Sequence, residues 1–90
     1  MKYTVVWIPA AEAQLASIWI NSIDRSAVTA AANAIDDSLR TDPILRGETL
    51  MRTIRVLVEE PLQVKYFVYE DDRIVRVLSV QRLPNDPSRN

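Results

Sequence analysis

Apolar residues recur with a helical period up to about residue 41 and with a period of two from residue 52 onward. One fold must therefore set helices beside a sheet. In residues 10–20, Ala11, Leu15, Ile18 and Trp19 fall at i, i+4, i+7 and i+8, one face of a helix. Pro9 suits the first turn of that helix. Asn21-Ser22-Ile23-Asp24 interrupts the pattern, and Asp24 is expected to be the N-cap of a second helix. The second helix carries Val28, Ala31, Ala32, Ile35 and Leu39 on one side, and Arg25, Asn33, Asp37 and Arg40 on the other. Pro43 disfavours helical backbone in the residue before it, so the helix should end at Thr41-Asp42. Ala10, Ala11, Ala13, Ala16, Ala27, Ala30, Ala31, Ala32 and Ala34 favour helix and are small enough for two helices to approach closely. With so short a connection, an antiparallel α-hairpin follows.

The second half alternates. Ile54, Val56 and Val58 interleave with Thr53, Arg55, Leu57 and Glu59. After Pro61, Leu62, Val64, Tyr66 and Val68 interleave with Gln63, Lys65, Phe67 and Tyr69. After Asp71-Asp72, Ile74, Leu78 and Val80 interleave with Val75, Val77 and Ser79. Three strands joined by short turns form an antiparallel meander. Residues 2–8, β-branched and aromatic, form a further strand ahead of the helices. Residues 43–51 read as a connector, with Gly47 its left-handed position. The order is β-α-α-β-β-β, an α+β fold of two layers: a meander sheet packed on an N-terminal α-hairpin, with the first strand at an edge. The expectation is one domain over residues 1–83 and a frayed polar tail over residues 84–90.

Composition narrows the chemistry. The ninety residues contain no His and no Cys. Ser-His-Asp triads, Cys-His pairs, imidazole bases and thiolate or imidazole metal sites are excluded. Neither a cofactor nor a metal is expected, and a single glycine excludes glycine-rich phosphate loops. Met1-Lys2-Tyr3-Thr4 opens without an apolar core region, and no apolar run approaches membrane length, so a cytoplasmic protein with no membrane contact is expected. Net charge is −1; residues 1–45 hold 3 basic and 5 acidic groups, and residues 46–90 hold 8 and 7. Only a local cationic patch (Arg52, Arg55, Lys65, Arg76 and Arg82) is available for phosphate or for an acidic protein segment.

Several stretches together resemble the RelE/ParE superfamily of toxins from type II toxin–antitoxin, or plasmid-stabilisation, modules. These are Tyr3-Thr4-Val5-Val6-Trp7 followed by Pro9-Ala10-Ala11-Glu12, Asp42-Pro43, Gly47, and the run from Pro61 through Tyr66, Tyr69, Asp71-Asp72 and Arg73 to Val80. The likeness extends over residues 2–83. It implies the two-layer fold and a cognate antitoxin protein as partner, with growth inhibition as the outcome. RelE-like members cut messenger RNA in the ribosomal decoding site. ParE-like members poison DNA gyrase without enzymatic activity.

RNA cleavage needs a base, an acid and a cation over the scissile phosphate. The RelE-like pattern takes lysines from the first meander strand, where this chain has Arg52 and Arg55. It takes an arginine from the second, where this chain has Gln63. Its last-strand arginine corresponds to Arg82, and its C-terminal tyrosine falls on Pro84-Asn85-Asp86-Pro87. Arginine is a poor proton carrier near pH 7. A ParE-like toxin that works by protein binding is therefore the expectation. The alternatives left open are a RelE-like endoribonuclease using Lys65, Arg82 and Arg52 or Arg55, and an inactive binding module. Gln63, Phe67, Tyr69 and Arg76 are the candidates for antitoxin or target binding. Tyr66 is expected in the core. Trp7 and Trp19 are read as core or hairpin-packing residues, and Asp36-Asp37, Glu59-Glu60 and Glu70-Asp71-Asp72 as solvated turn or surface acids. A homodimer is left open.

Overall fold

The computed structural model describes residues 2–46, 48, 49 and 53–84. Strand β1 (Thr4–Trp7) leads into helix α1 (Pro9–Asn21), helix α2 (Arg25–Thr41) and a single turn, α3 (Pro43–Arg46). Strands β2 (Glu48–Thr49), β3 (Ile54–Glu59), β4 (Leu62–Tyr69) and β5 (Ile74–Arg82) follow. They form one sheet in the order β1-β5-β4-β3-β2, antiparallel throughout except where β1 runs parallel to β5. The expected α+β architecture is present. The connector is more ordered than the alternation predicts: it folds the α3 turn and adds β2 to the sheet. Gly47 and Arg52 lie outside the described residues.

The core forms where the α2 stripe meets one side of the sheet. Val28, Ile35 and Leu39 are fully buried, as are Ala11 from α1 and Leu62, Val64, Tyr66, Val75 and Val77 from the sheet. In β3 the buried residue is Leu57, while Val58 of the opposite parity is 47% exposed. The valines of β5 sit on both parities in the sequence, and a bulge resolves this. Lys65 pairs with Ser79 and Tyr66 with Val77, leaving Leu78 as the extra residue. Val75, Val77 and Val80 thereby all face the helices. Beyond the end of β1, the Val80 N–H meets Gln14 Oε1 of α1 at 2.8 Å, a side chain standing in for a missing strand.

The alanines act differently from expectation. Only Ala11 and Ala31 are buried, and the helices contact the sheet more extensively than each other. Asp24 does precede α2, and its carbonyl accepts from the N–H groups of Ala27 and Val28. Its side chain makes no cap; the carboxylate is drawn to Arg82 instead. The other end of the hairpin turn is closed by Arg25, which donates to the carbonyls of Trp19 (3.0 Å) and Ile20 (2.9 Å), satisfying orphan acceptors at the end of α1. The acidic turn spans Glu70–Arg73. Arg73 takes a left-handed backbone (φ 55°) and lays its guanidinium over Tyr3.

The Tyr66 hydroxyl donates to the Pro43 carbonyl, tying α3 to the core. Burial raises the phenol's pKa above its ordinary 10.0, against the opposing pull of the nearby Arg55 guanidinium. The neutral phenol is favoured in the folded chain, so this contribution is complete below pH 10 and is lost as pH rises through the raised native value. Tyr66→Phe should cost about 1–2 kcal/mol in urea unfolding at neutral pH, because the Pro43 carbonyl loses its donor. It should also remove the part of the alkaline destabilisation that Tyr66 ionisation is expected to cause in the parent chain. Ile35→Ala, a cavity in the α2 stripe, should cost about 2–5 kcal/mol in the same measurement.

Candidate functional site

Helices cover one side of the sheet and leave the other open. On β4, Gln63, Lys65, Phe67 and Tyr69 alternate with the buried Leu62, Val64 and Tyr66, so they project from the open side. Pairing extends this surface across the strands. Phe67 lies between Ile54 and Arg76, Lys65 between Val56 and Ser79, and Gln63 between Val58 and Gln81. Val6 of β1 adjoins Arg76 and is 40% exposed. The Phe67 and Tyr69 rings stand 4.5 Å apart at 44°, and the Arg76 guanidinium lies 5.4 Å from the Tyr69 ring centre. An apolar sheet face thus carries an aromatic pair beneath one arginine, with a lysine nearby. Gln63, Phe67, Tyr69 and Arg76 share this one surface. It offers apolar contact, ring faces and two cationic donors, which suits a protein segment bearing carboxylates.

The basic residues considered for proton transfer and phosphate binding do not share it. Lys65 is on the open side. Arg82 is opposite the fully buried Leu62, and its guanidinium turns toward the hairpin, donating to Ser22 Oγ at 3.1 Å and Asp24 Oδ2 at 3.0 Å. Arg55 is opposite Tyr66 and reaches the Thr49 hydroxyl (3.1 Å) and the Ile44 carbonyl. It is half-buried. The sheet therefore separates Lys65 from both arginines. Among the described residues no three acidic side chains gather in a way that could hold a metal ion. No helix there is long and apolar enough to cross a membrane.

Asp36 and Trp19 make polar contacts that their residue types alone do not announce. Asp36 is not simply solvated: it accepts from Trp7 Nε1 at 3.3 Å and from Arg40 Nε at 2.7 Å, pinning β1 to α2. Its spacing of four from Arg40 was the available signal. Trp19 is 42% exposed and spans the hairpin by donating to the Thr29 hydroxyl at 3.1 Å, with Arg25 stacked 4.8 Å from its ring.

No protein-family model matches the sequence, and no curated protein matches it in sequence. Solved structures do match in shape. A chain of the Mycobacterium tuberculosis toxin–antitoxin complex RelBE2 superposes with a TM-score of 0.77 at 18% identity, covering 91% of this chain and 99% of that one. This is the RelE/ParE toxin fold. A chain of the chromosomal ParDE system of P. aeruginosa gives a TM-score of 0.69 at 15% identity, over 92% of this chain and 98% of that one. The isolated E. coli RelE toxin gives 0.65 at 13%, over 97% and 90%. RelE/ParE-fold chains from both systems thus share the β-α-α-sheet plan seen here.

The Arg82 hydrogen bond to Asp24 holds that carboxyl below its ordinary 3.8. Its contribution to stability is complete above that value and fades as pH falls through the lowered native one. Asp24→Asn should remove this acid-side loss, read as a flatter dependence of the urea midpoint on pH below 4. Arg82→Ala should flatten it similarly, as expected if Arg82 serves the hairpin.

Proposed function

We propose that this chain is the toxin of a type II toxin–antitoxin pair. In this reading it is held inactive by a cognate antitoxin and arrests growth by binding a cellular protein, with DNA gyrase the expected target. The observation that carries the reading is the division of the sheet. The aromatic and apolar surface around Phe67, Tyr69 and Arg76 lies on one side, and the Arg55 and Arg82 side chains are engaged in structural contacts on the other. A ribonuclease needs proton carriers and a phosphate-binding cation converging within hydrogen-bond reach of one bond. Protein recognition needs an aromatic-centred patch with few charges at its middle.

The fold similarity to RelBE and ParDE chains supports the toxin part of the reading, and the spread of the cations supports the ParE-like part. The antitoxin is expected to cover the open sheet face, placing carboxylates on Arg76 and Lys65. A RelE-like endoribonuclease working from Lys65 is the alternative, and the two readings separate in one experiment.

Induced expression should arrest growth and reduce plasmid supercoiling, leaving ribosome-bound messages intact. Phe67→Asp combined with Arg76→Glu should abolish arrest with thermal unfolding shifted by no more than a few degrees, because both sites are on the open face. Lys65→Ala should leave arrest in place. Message cleavage that disappears with Lys65→Ala would establish the ribonuclease instead. Expression without harm in the absence of any antitoxin would leave only the inactive binding module.

A further inference from the structure

The two hairpin helices leave an open hollow of about 630 Å3 between them. The hydrogen bond from Trp19 Nε1 to the Thr29 hydroxyl sets the register of this antiparallel pair. Ala16 thereby comes level with Ala32, and Glu12 with Asp36. One end of the hollow is apolar, walled by Trp19 and Ile20. Leu15 and Val28 line its middle, where the alanine side chains leave room that larger ones would fill. The other end holds the Glu12 and Asp36 carboxylates beside the Trp7 indole. From Glu12 to Trp19 the hollow runs about 10 Å along α1.

This is the scale and make-up of a small-molecule site: an apolar concavity with its few polar groups gathered in one place. Both indole N–H groups are tied down, Trp7 on Asp36 at 3.3 Å and Trp19 on Thr29 at 3.1 Å. The walls are set before anything binds, which lowers the ordering cost of binding.

The charge at the Trp7 end is of one sign. Glu12 and Asp36 are the ionisable lining residues, and neither lysine nor arginine lines the hollow. Asp36 is engaged by Arg40 and by Trp7. Glu12 is exposed and has no ion-pair partner among the described residues. An ammonium placed here is attracted by both carboxylates, and the indole adds an aromatic surface for it. An anion here meets two like charges with no cation in the lining.

We propose that the hollow between α1 and α2 binds a small amphipathic organic cation. Its ammonium sits among Glu12, Asp36 and Trp7, and its apolar chain or ring lies over Ala16 and Ala32 toward Trp19. This site is separate from the open sheet face, and the inference does not rest on the toxin reading.

Trp7 and Trp19 are the only tryptophans in the chain and stand at opposite ends of the hollow, so their emission reports on it. The test titrates the intact chain with phenylbutylammonium, with phenylbutanol and phenylbutyrate as its neutral and anionic counterparts. The ammonium should shift the emission to the blue in a saturable way and raise the unfolding temperature. It should bind at least about tenfold more tightly than the alcohol, and the carboxylate should bind most weakly. Glu12→Gln should bring ammonium and alcohol close to parity. Ala16→Phe, which fills the middle of the hollow, should abolish binding of both. Positions 12 and 16 are exposed, so both variants should unfold within a few degrees of the parent when no ligand is present. Equal binding of ammonium and alcohol by the parent chain would overturn the proposal. So would the absence of a saturable emission change with any of the three probes, or a preference for the ammonium that Glu12→Gln leaves intact. A sedimentation dimer that Ala16→Phe splits would also overturn it, since a second copy would then fill the hollow.

Discussion

The fold depends on the contact between the apolar stripe of α2 and the helix-facing row of the central strands. Val28, Ile35 and Leu39 meet Leu57, Val64, Tyr66, Val75 and Val77 with scarcely any solvent access. Burial of this kind is the main favourable contribution in a small domain with no cysteine to staple it. It also fixes everything on the far side. Because strand side chains alternate, seating Leu62, Val64 and Tyr66 under the helices sends Gln63, Lys65, Phe67 and Tyr69 outward together. The candidate surface is therefore a by-product of core packing, held in place by the buried strands beneath the helices.

Much of this was legible in the residues. The α2 stripe, the break at 21–24, the stop before Pro43 and the parity of β4 all followed from spacing, because each is a local pattern that tertiary packing reinforces. The outward placement of Tyr69 and the inward placement of Tyr66 followed from the same alternation. Strand β5 was harder. Val75, Val77, Val80 and Leu78 do not share one parity, and only the pairing with β4 reveals the bulge that reconciles them. The α3 turn and β2 were not legible either, since four and two residues carry too little periodicity to register.

The charged residues were the least readable, for a physical reason. A guanidinium on a long stem reaches partners far away in sequence, and nothing in the sequence announces them. Asp24 precedes a helix as a cap residue should, yet its carboxylate serves Arg82, fifty-eight residues away. Arg55 reads as part of one cationic patch with Lys65, yet it pairs across from Tyr66 and joins the Thr49 hydroxyl and the Ile44 carbonyl. Trp19 lies on the apolar face of α1, yet half-emerges to bridge the hairpin. In each case residue type and spacing gave the position, and packing of distant elements gave the role.

The two sides of β4 have opposite fates, one sealed by helices and one left open. Hydroxyl-radical footprinting of the free chain, read residue by residue by mass spectrometry, tests this most directly. Tyr69 and Phe67 should be oxidised readily, while Tyr66, one residue from Phe67 but on the other side, should stay protected until the chain unfolds. Oxidation of Tyr66 at a rate matching Tyr69 in the native chain would contradict the account.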